Sequence, residues 1–189
     1  MHDGARLLDA AARGDVPTLH EVIARSGWSF ARGKFGRTPL HVACEAGHDD
    51  VVSVLLAAGP GDVDAKTTHG FTAVYVAANF GHAPCVKLLC DAGGDAQLPD
   101  AGGLTPLHIA SRNGRAKVVE ALLRHGVDAD ARDTIGWTAL HWACHRGEAG
   151  VAAMLAPRWT ASREDGDAAV RLLDDENARL TVAALLTFQ

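Results

Sequence analysis

The chain has 189 residues, 48% of them hydrophobic and 22% charged, which suits one domain of moderate size or at most two small ones and excludes wholesale disorder. Lys and Arg total 18 against 23 Asp and Glu, and the formal net charge of -5 argues against nucleic acid, whose phosphates attract Lys and Arg. No apolar stretch approaches the roughly 18 residues of a bilayer span, and Met1-His2-Asp3-Gly4-Ala5-Arg6 lacks the basic-then-apolar order of a secretory signal, so a soluble intracellular protein, cytoplasmic or nuclear, is expected.

In chain order, the first informative element is Thr38-Pro39-Leu40-His41-Val42-Ala43. It returns as Thr72-Ala73-Val74-Tyr75-Val76-Ala77, as Thr105-Pro106-Leu107-His108-Ile109-Ala110, and as Thr138-Ala139-Leu140-His141-Trp142-Ala143, at intervals of 34, 33 and 33 residues. Each copy has a Gly two residues before the Thr (Gly36, Gly70, Gly103, Gly136) and another nine residues after it (Gly47, Gly81, Gly114, Gly147). Thr can cap a helix by accepting an orphan amide hydrogen of the first turn. Pro39 and Pro106 then take the first helical position, where a missing N–H costs nothing. Leu40 with Ala43, and Leu107 with Ala110, share a face at i, i+3, and Gly47 and Gly114 can stop the helix in a left-handed conformation. This inner helix is about two turns long, too short to be stable alone.

An apolar stripe follows each inner helix: Val51, Val52, Leu55, Leu56, then Gly59; Cys85, Val86, Leu89, Cys90, then Gly93; Val118, Val119, Leu122, Leu123, then Gly126. These sets predict an amphipathic outer helix about ten residues long. The polar segment up to the next Gly-x-Thr predicts a turn or hairpin tip. Neither helix buries its face alone, so the pairs must stack into one continuous core.

The period, the Thr-Pro-Leu-His-x-Ala motif and the Asp that follows each outer helix (Gly61-Asp62, Gly94-Asp95, Val127-Asp128) resemble ankyrin repeats. The resemblance implies an all-α repeat solenoid of stacked helix-turn-helix units with short β-hairpin tips. It places a repeat domain over 1–157, with a capping repeat over about 4–32 and repeats over about 33–66, 67–99, 100–132 and 133–157. In the first unit Ala10-Ala11-Ala12-Arg13-Gly14-Asp15 matches the end of an inner helix, and Leu19, Val22 and Ile23 match an outer one. The sequence departs from the pattern where Ala73 and Ala139 replace the motif proline and Tyr75 replaces its histidine. Gln97, Asp64 and Asp130 stand where the family often has Asn. Past repeat five, Ala152 and Ala156 weaken the outer stripe and Pro157 stops it. Residues 158–167 read as an exposed insertion and 168–189 as a degenerate repeat or helical cap. Solenoids need ends with a polar outer face, so Val170, Leu173, Leu180 and Leu185 are expected to pack inward, leaving Asp174, Asp175 and Glu176 in water.

Ten histidines and four cysteines (Cys44, Cys85, Cys90, Cys144) raise the question of a metal site. His41, His108 and His141 hold the motif position, which the resemblance makes a structural hydrogen-bonding group. His48 and His82 begin outer helices and His125 ends one. The tightest cluster is His141-x-x-Cys144-His145, but Cys44 and Cys144 fill a slot occupied by Ala78 and Ser111 elsewhere, and no Cys-x-x-Cys pair completes a zinc site. The cysteines are also too few and too dispersed for a disulfide scaffold. His20-Glu21-Val22-Ile23 runs into Ala24 where a zinc-protease helix needs its second His. No Gly-x-Ser-x-Gly elbow exists, and Gly93-Gly94 and Gly102-Gly103 lie at repeat junctions, where turn chemistry accounts for them. Neither metal, cofactor nor catalysis is expected, and the chain reads as a binder.

The resemblance implies a concave face of tips and inner helices that holds another protein. Its variable positions map to Lys34, Phe35, Arg37, Glu45 and Ala46; to Thr68, His69, Phe71, Asn79 and Phe80; to Ala101, Leu104, Arg112 and Asn113; and to Ile135, Trp137, His145 and Arg146. The partner-binding residues expected from this set are Lys34, Phe35, Arg37, Phe71, Phe80, Arg112, Trp137, His145 and Arg146. The set takes in four of the chain's ten Phe, Trp and Tyr residues, and aromatics with Arg dominate interface hot spots. The three arginines predict local positive character, and so a partner with carboxylates around an apolar centre. Trp142 shares its slot with Val42, Val76 and Ile109 and is expected to pack between repeats.

The function this implies is a protein–protein interaction module, an adaptor, scaffold or stoichiometric inhibitor. It is expected to be monomeric on its own, with no nucleic acid and no membrane insertion. The alternative is a targeting or substrate-adaptor subunit of an enzyme complex whose activity lies in another chain or domain. Such a subunit needs a second docking element, for which 160–189 is the one candidate segment.

Overall fold

The computed structural model describes residues 2–28, 31–59, 61–158, 168–172, 176, 179, 182–183 and 186. These residues hold ten α-helices in five consecutive pairs: α1 (His2–Arg13) with α2 (Val16–Ser26), α3 (Pro39–Ala46) with α4 (Asp49–Ala57), α5 (Ala73–Phe80) with α6 (Ala83–Asp91), α7 (Pro106–Arg112) with α8 (Ala116–Arg124), and α9 (Ala139–His145) with α10 (Ala149–Leu155). The odd-numbered helices form an inner row and the even-numbered helices an outer row, each helix packing on its own pair-mate and on the next member of its row. This is the stacked all-α solenoid that the period predicts.

The local chemistry that starts and stops the inner helices is as the motif requires. The hydroxyl of Thr38 accepts the His41 N–H at 3.4 Å, that of Thr72 the Tyr75 N–H at 3.1 Å, and that of Thr105 the His108 N–H at 3.4 Å. Gly47 and Gly81 end α3 and α5 in the left-handed region, at φ 77° and 91°. The tips between units are tight turns. Thr67 N–H reaches the Phe71 carbonyl at 2.9 Å, Asp100 N–H the Leu104 carbonyl at 3.0 Å, and Asp133 N–H the Trp137 carbonyl at 2.9 Å. Each closure is shorter than a strand ladder, and no strand occurs among the described residues.

Among the described residues one core cluster runs from Leu7 to Val182. In the second unit Leu40 and Ala43 of α3 meet Val51, Val52 and Leu55 of α4, all fully buried. Burying each of these larger aliphatic side chains contributes about 1.5–3 kcal/mol, which the two-turn helices cannot draw from hydrogen bonding alone.

A second device ties the rows together. From the second unit on, the N-cap residue of the outer helix leans over the glycine that follows the inner helix of the unit before: His48 over Gly14, His82 over Gly47, Arg115 over Gly81. A Cβ at Gly47 would stand 2.5 Å from the His82 ring, so the close approach demands glycine as much as the backbone angle does. His48 Nε2 bonds to the Ala12 carbonyl at 3.2 Å, His82 Nε2 to Glu45 at 3.2 Å, and Arg115 Nε to Asn79 at 3.3 Å. Each satisfies a carbonyl left open at a helix C-terminus. At the fourth junction Glu148 takes this place over Gly114, and its carboxylate has no proton to donate.

The two ends of the stack are finished differently. At the first pair, Arg6 pairs with Glu21 at 3.0 Å and Arg25 with Asp3 at 3.4 Å, giving α1 and α2 a polar flank. Trp28 is buried and its ring lies where a Cβ on Gly61 would be. At the other end Ala169 and Val182 are fully buried, Val170, Leu172 and Leu186 pack on the core, and Glu176 is exposed. The expectations for Leu173, Leu180, Leu185, Asp174 and Asp175, and for nearly all of the 158–167 insertion, fall outside the described residues.

Candidate functional site

The inner helices and tips share one face, and the motif histidines set its geometry. His41 Nδ1 accepts the Thr38 N–H at 3.1 Å, and its Nε2–H donates to the Phe71 carbonyl in the next tip at 2.8 Å. His108 repeats this with the Thr105 N–H at 3.1 Å and the Trp137 carbonyl at 3.0 Å. Both bonds together require a neutral imidazole protonated at Nε2. Burial holds both rings below the ordinary histidine pKa, outweighing the carbonyl bonds that favour the charged form.

Tyr75 fills the same position in repeat three and reaches a different partner. Its hydroxyl donates to Asp100 Oδ2 at 3.0 Å, again in the next tip. Burial, then the Asp100 charge, push the phenol well above its usual pKa. Asp100 Oδ1 accepts the Gly102 and Leu104 amides at 2.8 and 2.9 Å. Asp133 does the same one repeat on, accepting Ile135 and Trp137 amides at 3.0 and 2.9 Å on Oδ1 and the Trp142 Nε1–H at 2.8 Å on Oδ2. Inner helices α3, α5 and α7 therefore each pin the tip that follows, and the side chains borne on those tips are held in fixed places.

Side chains of the tips and the inner helices together form a strip of rings in two groups. Phe35 lies 5.4 Å from His69, His69 stacks 5.7 Å from Phe71, and Phe71 stacks on Tyr75 at 4.7 Å with the planes 6° apart. A second group meets edge to face: Trp137 stands 5.0 Å from Trp142 and 5.2 Å from His145. Arg112 links the two, its guanidinium 5.5 Å above the Trp142 ring and its charge acting on the Tyr75 hydroxyl.

Of the sequence-predicted residues, Phe35 is 62% exposed at its tip, while Phe71 and Trp137 are half-buried within the strip. Phe80, 43% exposed, stands apart from it with its ring stacked on His82 at 6.5 Å. Lys34, His145 and Arg146 are exposed and Arg112 is half-buried. Lys34, Arg112 and Arg146 make no ion pair among the described residues. Arg37 is different: it closes on Glu45 in an ion pair, so it does not supply the free positive charge expected of all three arginines. Trp142 does meet the neighbouring repeat, through Arg112, but it is half-buried and belongs to the strip rather than only to the packing between units.

Asp100, Asp133 and Tyr75 are the organising residues that motif reading passes over. A signal for the acids exists: Thr67, Asp100 and Asp133 all stand three residues before the motif Gly, where short polar side chains bond to turn amides. The His141, Cys144, His145 cluster offers no thiolate, because burial pushes the Cys144 thiol up to about 12. Among the described residues no group of three His, Cys, Asp or Glu is placed to hold a metal ion. No described helix is long and apolar enough to cross a membrane.

A family model for ankyrin repeats in three copies matches residues 7–100 and again 93–165. The chain belongs to the ankyrin repeat family. It is similar to Inversin of Danio rerio, 40% identical over 90 residues that cover 47% of this chain and 9% of Inversin. It is also similar to human Ankyrin repeat and SOCS box protein 2, 36% identical over 93 residues covering 49% of this chain and 14% of that protein. A rice protein, Probable E3 ubiquitin-protein ligase XBOS32 of Oryza sativa subsp. japonica, is 32% identical over 88 residues, 46% of this chain and 18% of the ligase. These ankyrin matches span less than a fifth of each of these curated relatives, so the likeness is one of repeats. Protein–protein interaction is the role that ankyrin repeats imply.

Proposed function

We propose that this ankyrin stack is a binding module, an adaptor, scaffold or stoichiometric inhibitor, that holds a protein partner on the concave face built by α3, α5, α7 and α9 and their tips. The strip from Phe35 to His145 carries the reading. Phe35 and His145 stand exposed there, and Phe71, Trp137 and Trp142 half-buried, along one face, whereas the buried apolar residues, Tyr75 among them, form the core between the helices. A contiguous exposed apolar surface with arginine at its border is the composition of an interface centre. The action is stoichiometric occupancy and not catalysis, and His41 and His108 of the inner helices are engaged in holding tips.

The test is an affinity capture with cross-linking and mass spectrometry, followed by titration of the identified partner. Trp137→Ala and Phe80→Ala are expected to weaken binding by more than about 1 kcal/mol each, while Lys87→Ala and Glu120→Ala on the outer helices change it little. Melting temperatures measured alongside separate lost affinity from lost fold. Affinity unchanged in both ring variants would remove this face from the account.

The second reading is a substrate-adaptor subunit. It is favoured by the names of the SOCS box and ubiquitin-ligase relatives. It requires a second partner whose capture survives mutation of the strip.

A further inference from the structure

Resting on the concave-face reading, we infer that the partner is held as an extended acidic segment of polypeptide with an apolar side chain near each end, and that Phe35 is the anchor for one of them. Charge is the first argument. Over residues 33–46, 67–80, 100–113 and 133–146, which make the tips and inner helices, the acids are Glu45, Asp100 and Asp133. Each is committed internally: Glu45 to Arg37, Asp100 to Tyr75 and two tip amides, Asp133 to Trp142 and two more. Lys34, Arg112 and Arg146 remain without an ion pair among the described residues, at the two ends and the middle of the strip. The acidity of the chain lies elsewhere, in part on exposed Asp62, Asp95 and Asp128 at the outer loops. A ligand for this face brings carboxylates.

The second argument is shape. The rings follow one another in two groups joined through Arg112, so the surface is long and narrow. Successive inner helices stand about 10 Å apart, which puts Phe35 about 30 Å from Trp137, three repeats on. An extended chain at about 3.3 Å per residue crosses that span in roughly nine residues. A single-stranded nucleic acid also carries negative charge along a line, but it needs open ring faces. Here Phe71 and Tyr75 cover each other, and Arg112 covers a face of Trp142.

The third argument is the backbone of Phe35. Its φ of 58° and ψ of 25° lie in the left-handed region, and it is the one non-glycine residue with positive φ among those described. That conformation is costly for a bulky side chain. The ring is nevertheless mostly in water, with the exposed His69 as its aromatic neighbour. A strained, exposed, large apolar residue at a tip points to use in contact.

The experiment is selection of a random twelve-residue peptide display library on the full chain. Enriched peptides are then synthesised, and their affinities measured by fluorescence anisotropy beside a decamer of uridine RNA. The expected peptides are rich in Asp and Glu with apolar residues about nine positions apart. Phe35→Gly is expected to weaken them about tenfold or more while leaving the melting temperature equal or higher, since glycine relieves the backbone. The double variant Lys34→Glu with Arg146→Glu is expected to weaken them at least as much and to flatten their salt dependence. Peptides lost on Trp137→Ala yet neither acidic nor sensitive to charge reversal would overturn the acidic segment and leave the concave face standing. Peptides indifferent to both Trp137→Ala and Phe35→Gly would overturn the two together. No enrichment at all, or tighter binding of the RNA, would overturn the extended peptide.

Discussion

His41 in repeat two donates its Nε2–H to the carbonyl oxygen of Phe71 in repeat three at 2.8 Å, with the imidazole buried between them. One side chain thereby caps its own helix through Thr38 and fixes the tip of the next unit. His41→Ala strands a buried carbonyl and a buried amide and leaves a cavity. The expected loss is about 2–4 kcal/mol in urea unfolding. His145→Ala, at an exposed position of the inner row, is expected to cost under about 0.5 kcal/mol. Equal effects of the two would contradict the bridging role.

The same burial predicts the pH response. Unfolded histidine takes up a proton near pH 6.5, whereas burial, helped at His41 by Arg37 and Arg32, depresses His41 and His108 in the fold. At His108 the Trp137 carbonyl, Asp133 and Asp100 oppose burial without cancelling it. The unfolded chain thus binds more protons below about pH 6.5, so the stabilisation is complete above that value and is lost as pH falls toward the depressed folded values. His125 has the opposite sign. Its bonds to the Ala121 carbonyl and Asp91 raise it, which favours the fold below its unfolded value and is lost as pH rises through the folded one. That ring is exposed, so the buried pair dominates. The urea midpoint is expected to drop between pH 7 and 5, and a midpoint that rises on acidification would count against this assignment.

Repeats were legible in the sequence because their signals are local. Thr38 and Pro39 start a helix, Gly47 stops it, and Leu40 with Ala43 mark its buried side, all within ten residues. The face was legible only in part. Phe35, Phe71 and Trp137 could be placed on it by period, but whether Arg37 is free depends on Glu45, which reaches it only once α3 has formed. The Tyr75–Asp100 bond joins residues 25 apart and exists only after two units have stacked. The Trp142 slot holds Val or Ile in the other repeats, and what changes its role is Asp133 nine residues before it.

The fourth junction offers a gain of stability. His48, His82 and Arg115 each donate to the end of the preceding inner helix, and Glu148 over Gly114 has nothing to donate. A carboxylate there also faces the negative end of the α7 dipole. Glu148→Arg is expected to stabilise the protein by about 0.5–1 kcal/mol, read as a higher urea midpoint with unchanged slope. A lower midpoint would show that Glu148 has a favourable partner.

The C-terminal residues act on the other end of the core. Ala169 and Val182 are fully buried with Leu155 and Ala156 in the same cluster. Deleting 168–189 is expected to uncover that edge, to lower the melting temperature by several degrees, at about 2–4 °C for each kcal/mol in a chain of this size, and to promote aggregation. A truncated protein equally soluble and equally stable would make the segment a tail.

The central claim, that a partner protein sits on the tips and inner helices, is tested most directly by photo-cross-linking from single positions. A photoreactive phenylalanine analogue is placed at Ile135, which is 63% exposed at its tip, and separately at Lys87, exposed on outer helix α6. After irradiation of the complex, a covalent adduct with the partner is expected from position 135 and not from position 87. An adduct from position 87 alone would contradict the account.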